Sequence, residues 1–403
     1  VDRHPHRQDL NRQELLVPLP FDLAALPVDH ADAALAGRVM LADGPVPVLL
    51  RGGRVIDVSA AAATSADLFD LGDPARGDGR DLCAVEELTV GGGAFELLSP
   101  LDLQCVKACG VTFAISAIER VIEERARGDS AKAAAIRGDL EAKIGGGIRS
   151  VVPGSADAAK LKDALIAAGM WSQYLEVAIG PDAEVFTKAP VLSTLGWGVP
   201  VGVRSDSSWN NPEPEVVLVV NAAGTVVGAT LGNDVNLRDF EGRSALLLGK
   251  AKDNNAACSI GPFVRLFDAG FTIDDVRNAG LDLVIDGPEG YRLEGHSAMN
   301  QISRDPLELV RQTLSEHQYP DGFALFLGTL FAPVQDRDHP GRGFTHKVGD
   351  TVRIHSPRLG TLTNPVTTSK DATPWTYGIR DLYRALAERR GGDGVPRHPV
   401  SGG

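Results

Sequence analysis

Pro212-Glu213-Pro214-Glu215 stands directly before the apolar run Val216 to Val220. A β-branched run of that kind has the character of a buried strand. Residues i and i+2 of a strand point to the same side, so Glu213 and Glu215 aim at one point beside a core. Asp234, in Gly232-Asn233-Asp234, offers a third carboxylate. Acids that share a site repel each other unless something positive lies between them. Oxygen-only ligands favour a hard divalent cation: Mg²⁺, Mn²⁺ or Ca²⁺. The same spacing also fits an edge strand whose carboxylates face water, and spacing alone does not choose between the two.

The 403 residues, 43% of them hydrophobic, can bury a core large enough for two domains. Aromatic residues are only 5% and the formal net charge is −13. The first argues against a base-stacking platform, the second against nonspecific nucleic-acid binding and anionic membranes. An anionic substrate remains compatible, because a bound cation changes the local field. The four cysteines, Cys83, Cys105, Cys109 and Cys258, form no C-x-x-C pair, so a thiolate zinc site is not expected. They read as buried thiols of a reducing compartment. The polar stretch Val1 to Asn11 has no apolar signal core, and no run reaches transmembrane length without charge. A cytoplasmic protein is the expectation.

Residues 1–40 read as irregular, with Leu15 to Leu26 as a strap packed on another element. A hairpin is predicted from Val46 to Leu50 and Val55 to Val58 around Gly52-Gly53. A soft boundary near residue 99 divides a small N-terminal module, 1–98, from the main domain, 99–403. Beyond it the pattern predicts a strand from Gln104 to Ala108. Helices are expected over Ala114 to Arg125, Asp129 to Lys143 and Ala156 to Ala168, the last capped by Gly169. From Leu175 short β-like runs dominate: Val216 to Asn221, Val226 to Ala229, Val264 to Phe267, Leu281 to Ile285, Ala324 to Leu327 and Thr351 to Ser356. Helices over Asp305 to Glu316, introduced by Ser303, and Ile379 to Glu388 complete the reading. No G-x-G-x-x-G opens a helix and no phosphate loop is present. An α+β enzyme core with a mixed sheet fits better than a Rossmann fold or a barrel.

Several motifs, in order, resemble the fumarylacetoacetate hydrolase superfamily over roughly residues 100 to 365. Glu213-Pro214-Glu215 resembles its E-x-E metal motif. Gly228-Ala229-Thr230-Leu231-Gly232-Asn233-Asp234-Val235 resembles G-Y-T-x-x-N-D-V, and Arg238-Asp239 the R-D that follows. Gly249-Lys250 and Gly261-Pro262 resemble a G-K-S-x-D … G-P block with Asp253 at its acidic position. Gly328-Thr329 stands at T-G-T-P, and Gly349-Asp350 at a common G-D. Where many hydrolases of the family have G-x-N-Y-x-x-H-x-x-E, this chain reads Gly110 to Glu119, with Ser116 at the histidine. A serine cannot replace imidazole as a water-activating base near neutral pH. The runs Gln104 to Phe113 and Leu231 to Ser244 are similar to the 2-keto-3-deoxy-pentonate dehydratase branch, which acts on D-xylonate or D-arabinonate forms in oxidative pentose (D-xylose) degradation.

The resemblance implies a mixed β-roll catalytic domain, with metal and substrate at its open end and a smaller N-terminal β-rich domain. It implies Glu213, Glu215 and Asp234 as ligands of a divalent cation, Mg²⁺ first and Mn²⁺ or Ca²⁺ as alternatives. A 2-oxo sugar acid chelated there has acidified C3 protons and can lose its C4 hydroxyl, giving 2-oxoglutarate semialdehyde. Lys250 is the expected donor to the enolate or base at C3, and Glu119 the expected proton donor or shuttle. Ser116 and Thr329 are expected to touch substrate, and Arg238 to support the ligands from behind. Lys252 reads as solvent-facing. Asn300 and Gln301 fall near a polar substrate contact of the family, and His296 reads equally as a loop histidine. The alternatives are a hydrolase or decarboxylase of a 2-oxo or 1,3-dicarbonyl acid, a longer sugar-acid substrate, and a non-catalytic metal-stabilised binding protein. A homo-oligomer, dimer or tetramer, is the implied assembly.

Overall fold

Val216 to Val220 is wholly buried, and it lies in the middle of a large sheet. The computed structural model describes residues 18–391 except 134–135, 138–147, 149–150 and 332. Its central strand Pro214–Val220 turns at Gly224, whose φ of +77° favours glycine, and pairs antiparallel with Val226–Asp234. Beyond that strand lie Cys258–Leu266 and then Leu35–Leu41. On the other side come Phe323–Phe326, the parallel strand Cys105–Gly110, and Glu184–Ala189. The hairpin Gly44–Arg51 and Arg54–Asp57 extends the sheet from Leu35–Leu41, followed by Arg80–Ala84. Strands on both sides of residue 98 therefore share one sheet.

A second sheet has the order Val201–Val203, Gly360–Thr368, Thr351–Ser356, Gly280–Asp286, Arg292–Ala298. Its first pair is parallel and the rest antiparallel. The architecture is α+β, with a larger mixed-sheet domain and a smaller β-rich N-terminal region.

Helix α1, Ala114–Ala126, follows the strand Cys105–Gly110. Its Ala117, Ile118, Val121 and Ile122 pack with Leu175, Ala178 and Ile179 of helix α2, Gln173–Ile179. That apolar stripe leaves Ser116, Glu119, Arg120 and Glu123 on the opposite side. They lie at i, i+3, i+4 and i+7, one face of a helix.

Most expected elements lie within a few residues of their positions. Residues 18–40 are less irregular than expected: Leu35–Leu41 is a strand, and Phe21 packs edge-on against Trp197 (5.0 Å) and Phe263 (5.9 Å), while the expected strap's Leu15 to Val17 lie outside the described residues. The helix Pro306–Leu314 is capped by Asp305, which accepts from the Leu307 amide, rather than introduced by Ser303. The expected helix Asp129 to Lys143 falls largely outside the described residues.

Candidate active site

The two central strands bring the acids together. Glu213 precedes the strand Pro214–Val220, and its carbonyl accepts from the Asp234 amide at 3.0 Å. Register places Glu215 opposite Gly232, two residues before Asp234. A Cβ on Gly232 would lie 2.3 Å from the Phe326 ring, so glycine lets the strands close here. Glu213, Glu215 and Asp234 each offer an oxygen within 4.8 Å of the others, and all three are buried.

Lysines and an arginine hold two of these acids. Lys252 Nζ lies 2.5 Å from Glu213 Oε2 and 2.9 Å from Asp234 Oδ2. Lys188 Nζ pairs with Asp234 Oδ1 at 2.7 Å, and Arg120 Nη2 with Glu213 Oε1 at 2.6 Å. Burial works to raise the Asp234 pKa, but Lys188 and Lys252 outweigh it and hold the carboxyl below its usual range. Burial also works against the Lys252 charge, yet Asp234, Glu213 and Glu241 hold that ammonium above its usual range. Lys252 is thus a fixed cation rather than a base.

Glu215 is different. It accepts from the Gly328 amide at 2.6 Å, but no lysine or arginine pairs with it among the described residues. Burial, then repulsion from Asp234 and Glu213, pushes its pKa well above the carboxylate range. Gly328 has φ +90°, and a Cβ there would lie 2.0 Å from Thr112 Oγ1, so the amide reaches Glu215 only from a glycine. Glu184 also lacks a cationic partner among the described residues. Burial, then Glu241, raises its pKa to about 7.

Among the described residues, seven carboxylates line one cleft: Glu119, Glu123, Glu184, Glu213, Glu215, Asp234 and Glu241. Among those same residues, five cations pair with them: Arg120, Arg137, Lys188, Arg238 and Lys252. Positive charge is short where Glu215 faces Glu213 and Asp234. Three buried carboxylate oxygens in that place are a donor set suited to a hard divalent cation.

The remaining expected residues divide. Glu119 lines the cleft and is held by Arg137 at 2.6 Å. Ser116 lines it too, but its hydroxyl donates to the Phe113 carbonyl at 2.7 Å and accepts from the Phe113 amide. Thr329 is buried in the cleft wall, and its Oγ1 donates to the Phe331 carbonyl at 3.0 Å. Arg238 pairs with Glu123 at 3.1 Å and donates to the Pro333 carbonyl at 2.9 Å, behind the cleft.

Lys250 is the correction. It is exposed and its ammonium lies 5.4 Å over the Phe240 ring, whereas Lys252 enters the site. Two residues apart on the short helix Leu248–Lys252, the two lysines point in nearly opposite directions, so only one can face the acids. Asn300 and Gln301 are exposed and do not line the cleft, and His296 pairs with Asp282 at 2.8 Å.

Sequence reading missed Arg120, Glu184 and Lys188. Signals for them exist. Arg120 stands four residues after Ser116 on one helical face, and Glu184, Phe186 and Lys188 alternate on one side of a strand.

Residues 181–367 match the profile of the family described as Fumarylacetoacetate (FAA) hydrolase C-terminal. That match spans a little less than half of the chain. The chain is similar to a 2-dehydro-3-deoxy-D-arabinonate dehydratase of Saccharolobus solfataricus, with 32% identity over 186 residues. That match covers 45% of this chain and 58% of the relative. A probable 2-keto-3-deoxyxylonate dehydratase of Haloferax volcanii is 33% identical over 199 residues, covering 49% of this chain and 65% of that one. The matched region thus spans less than two thirds of either relative. A solved 2-keto-3-deoxy-D-arabinonate dehydratase in its apo form shares the fold, with a TM-score of 0.59 at 20% identity over 83% of this chain and 99% of that one. The same kind of enzyme complexed with magnesium and 2,5-dioxopentanoate gives a TM-score of 0.57 at 20% identity, with the same coverage of both chains. No helix among the described residues is long and apolar enough to cross a membrane.

Proposed function

We propose that this protein is a hydro-lyase that dehydrates a 2-keto-3-deoxy-pentonate, of D-xylonate or D-arabinonate form, to 2-oxoglutarate semialdehyde. The observation that carries the reading is the trio Glu213, Glu215 and Asp234, short of positive charge at the end of the central strands. The sequence similarity to two pentonate dehydratases supports the substrate class. Magnesium in a solved structure of like fold supports Mg²⁺ as the cation. When bound, a divalent cation would polarise the C2 ketone and acidify the C3 protons.

The chain's own groups supply the rest. No cation pairs with Glu184 among the described residues, and its pKa of about 7 suits a group that takes and returns a proton near neutral pH. It removes a C3 proton, and the same proton lets the C4 hydroxyl leave as water. Loss of a C5 proton with reprotonation at C3 gives the C4–C5 enol, which takes a proton at C4 and releases its O5 proton to become the aldehyde. Glu119, at the cleft wall, is the candidate for the C5 proton. Lys252 takes the place foreseen for Lys250, as a fixed charge that holds Glu213 and Asp234. Ser116 and Thr329 shape the wall against the substrate.

Among the described residues no imidazole lines the cleft, which favours dehydration over water-driven cleavage. The reading extends to a homo-oligomer, and to a cytoplasmic location, which four free cysteines support.

The test is incubation of the Mg²⁺-loaded protein with 2-keto-3-deoxy-D-xylonate and its D-arabinonate epimer, with and without EDTA. An EDTA-sensitive loss of one water with a trappable aldehyde is expected. No product from either epimer would sink the pentonate reading.

A further inference from the structure

Three carboxylates from three parts of the chain converge on one guanidinium. Arg120 Nη1 lies 2.6 Å from Glu123 Oε2 and 2.9 Å from Glu241 Oε2, while Nη2 lies 2.6 Å from Glu213 Oε1. The arginine side chain is 11% exposed, and its three partners are 5% exposed or less. Glu213 is the hinge of this arrangement. One oxygen faces Arg120 and the other faces Lys252, which also holds Asp234.

Carboxylates that bridge two positive centres are the construction of two-metal sites, where the ions stand about 3.5–4 Å apart. Here Glu213 belongs to the candidate ligand trio on one side, and Glu123 and Glu241 wait on the other. The position between those three acids is filled by a group that is always charged and cannot be chelated away.

We propose that Arg120 stands in the place of a second cation, keeps the centre mononuclear and fixes Glu213 for its role as a ligand. This rests on the divalent-cation reading above. Arg120 is a positioning residue, acting through Glu213 rather than on substrate. Removing it leaves Glu213, Glu123 and Glu241 facing one another, with Arg238 still pairing with Glu123 from behind and Lys252 with Glu213. Buried acids left in that state need a replacement charge, and a divalent ion meets the oxygen donors that the guanidinium met.

The experiment counts Mn²⁺ bound to the full chain by equilibrium dialysis and electron paramagnetic resonance, for the wild type, R120M and R120K. One ion per chain is expected for the wild type and R120K, and two for R120M with the spectrum of a spin-coupled pair. Two ions in the wild type, or one in folded R120M, overturns the proposal. If R120M is unfolded without metal, Mn²⁺ is expected to restore its fold with two ions bound, and failure to restore it also overturns the proposal. No ion bound to the wild type instead defeats the divalent-cation reading itself, and this inference with it.

Discussion

The cleft and the anchor that Arg337 forms with Asp350 both bury charge, but they are built to opposite ends. In the anchor, Arg337 grips Asp350 with both Nη atoms, at 2.6 and 2.7 Å, and lies 4.6 Å over the Tyr291 ring. Glu289 adds a second acid to Arg337, and His346 and the Lys347 amide each reach Asp350 at 3.0 Å. Burial would raise the Asp350 pKa, but Arg337 and His346 outweigh it and hold it at about 2. The cluster is closed, since its acids are met from within the chain. In the cleft, Glu215 and Glu184 are not met by a lysine or arginine among the described residues, and their pKa values rise instead of falling. Buried charge alone therefore does not mark function. A deficit of compensating charge does, because such a deficit costs stability that only a ligand repays.

The largest test of that contrast is Glu215→Gln. It removes a ligand together with the repulsion, so activity and cation affinity should fall roughly a thousandfold, beyond the 10- to 100-fold typical of groups behind the ligands. The thermal midpoint of the metal-free protein should nevertheless rise. A metal-free variant that melts below the wild type breaks the contrast. Asp350→Asn should do the reverse: it leaves Arg337 buried with less charge to meet it, at a cost of about 3–5 kcal/mol. Denaturant unfolding measures that loss, while cation stoichiometry should stay unchanged. Unaltered stability would show that the anchor is not the closed structural cluster described.

What the sequence made legible, and what it hid, follows from how each residue is placed. Glu213, Glu215 and Asp234 sit at the end of a strand pair whose alternation and apolar run are visible in one dimension. Arg120, Lys188 and Glu184 reach the cleft from a helix and a distant edge strand, so only the fold brings them near the acids. The polar edge strands Glu184–Ala189 and Arg292–Ala298 escaped for the related reason that half-exposed strands lack an apolar run. The motif position points to Lys250 rather than Lys252 because a linear pattern carries no helical direction to separate them. Substituting each lysine sharpens this point. Lys252→Met should lower activity about a hundredfold, as expected for a group that orients ligands. Lys250→Met, at an exposed position, should change it no more than about twofold. Equal losses would mean that the helix turns differently when substrate is bound.

The smallest effect separates the two regions by the sign of their pH dependence. Glu184 has a folded-state pKa of about 7 against the ordinary glutamate value of 4.5. Between those values the folded chain keeps a proton that the unfolded chain has released, so stability is present below about 4.5 and is lost as pH rises through 7. The difference amounts to about 3 kcal/mol. Asp350 runs the other way: its pKa of about 2 lies below the ordinary 3.8, so its contribution is present above about 4 and is lost as pH falls toward 2. That loss is about 2 kcal/mol. Calorimetry of EDTA-treated protein from pH 3 to 8 should therefore show a decline on each side. Glu184→Gln should flatten only the decline above pH 5, and Asp350→Asn only the one below pH 4. A cation in the cleft should flatten the upper decline without mutation, because it lowers the cost of ionising Glu184. If Glu184→Gln leaves the upper slope as it is in the wild type, the deficit of charge does not reach Glu184, and the proton transfer assigned to it must pass to Glu119.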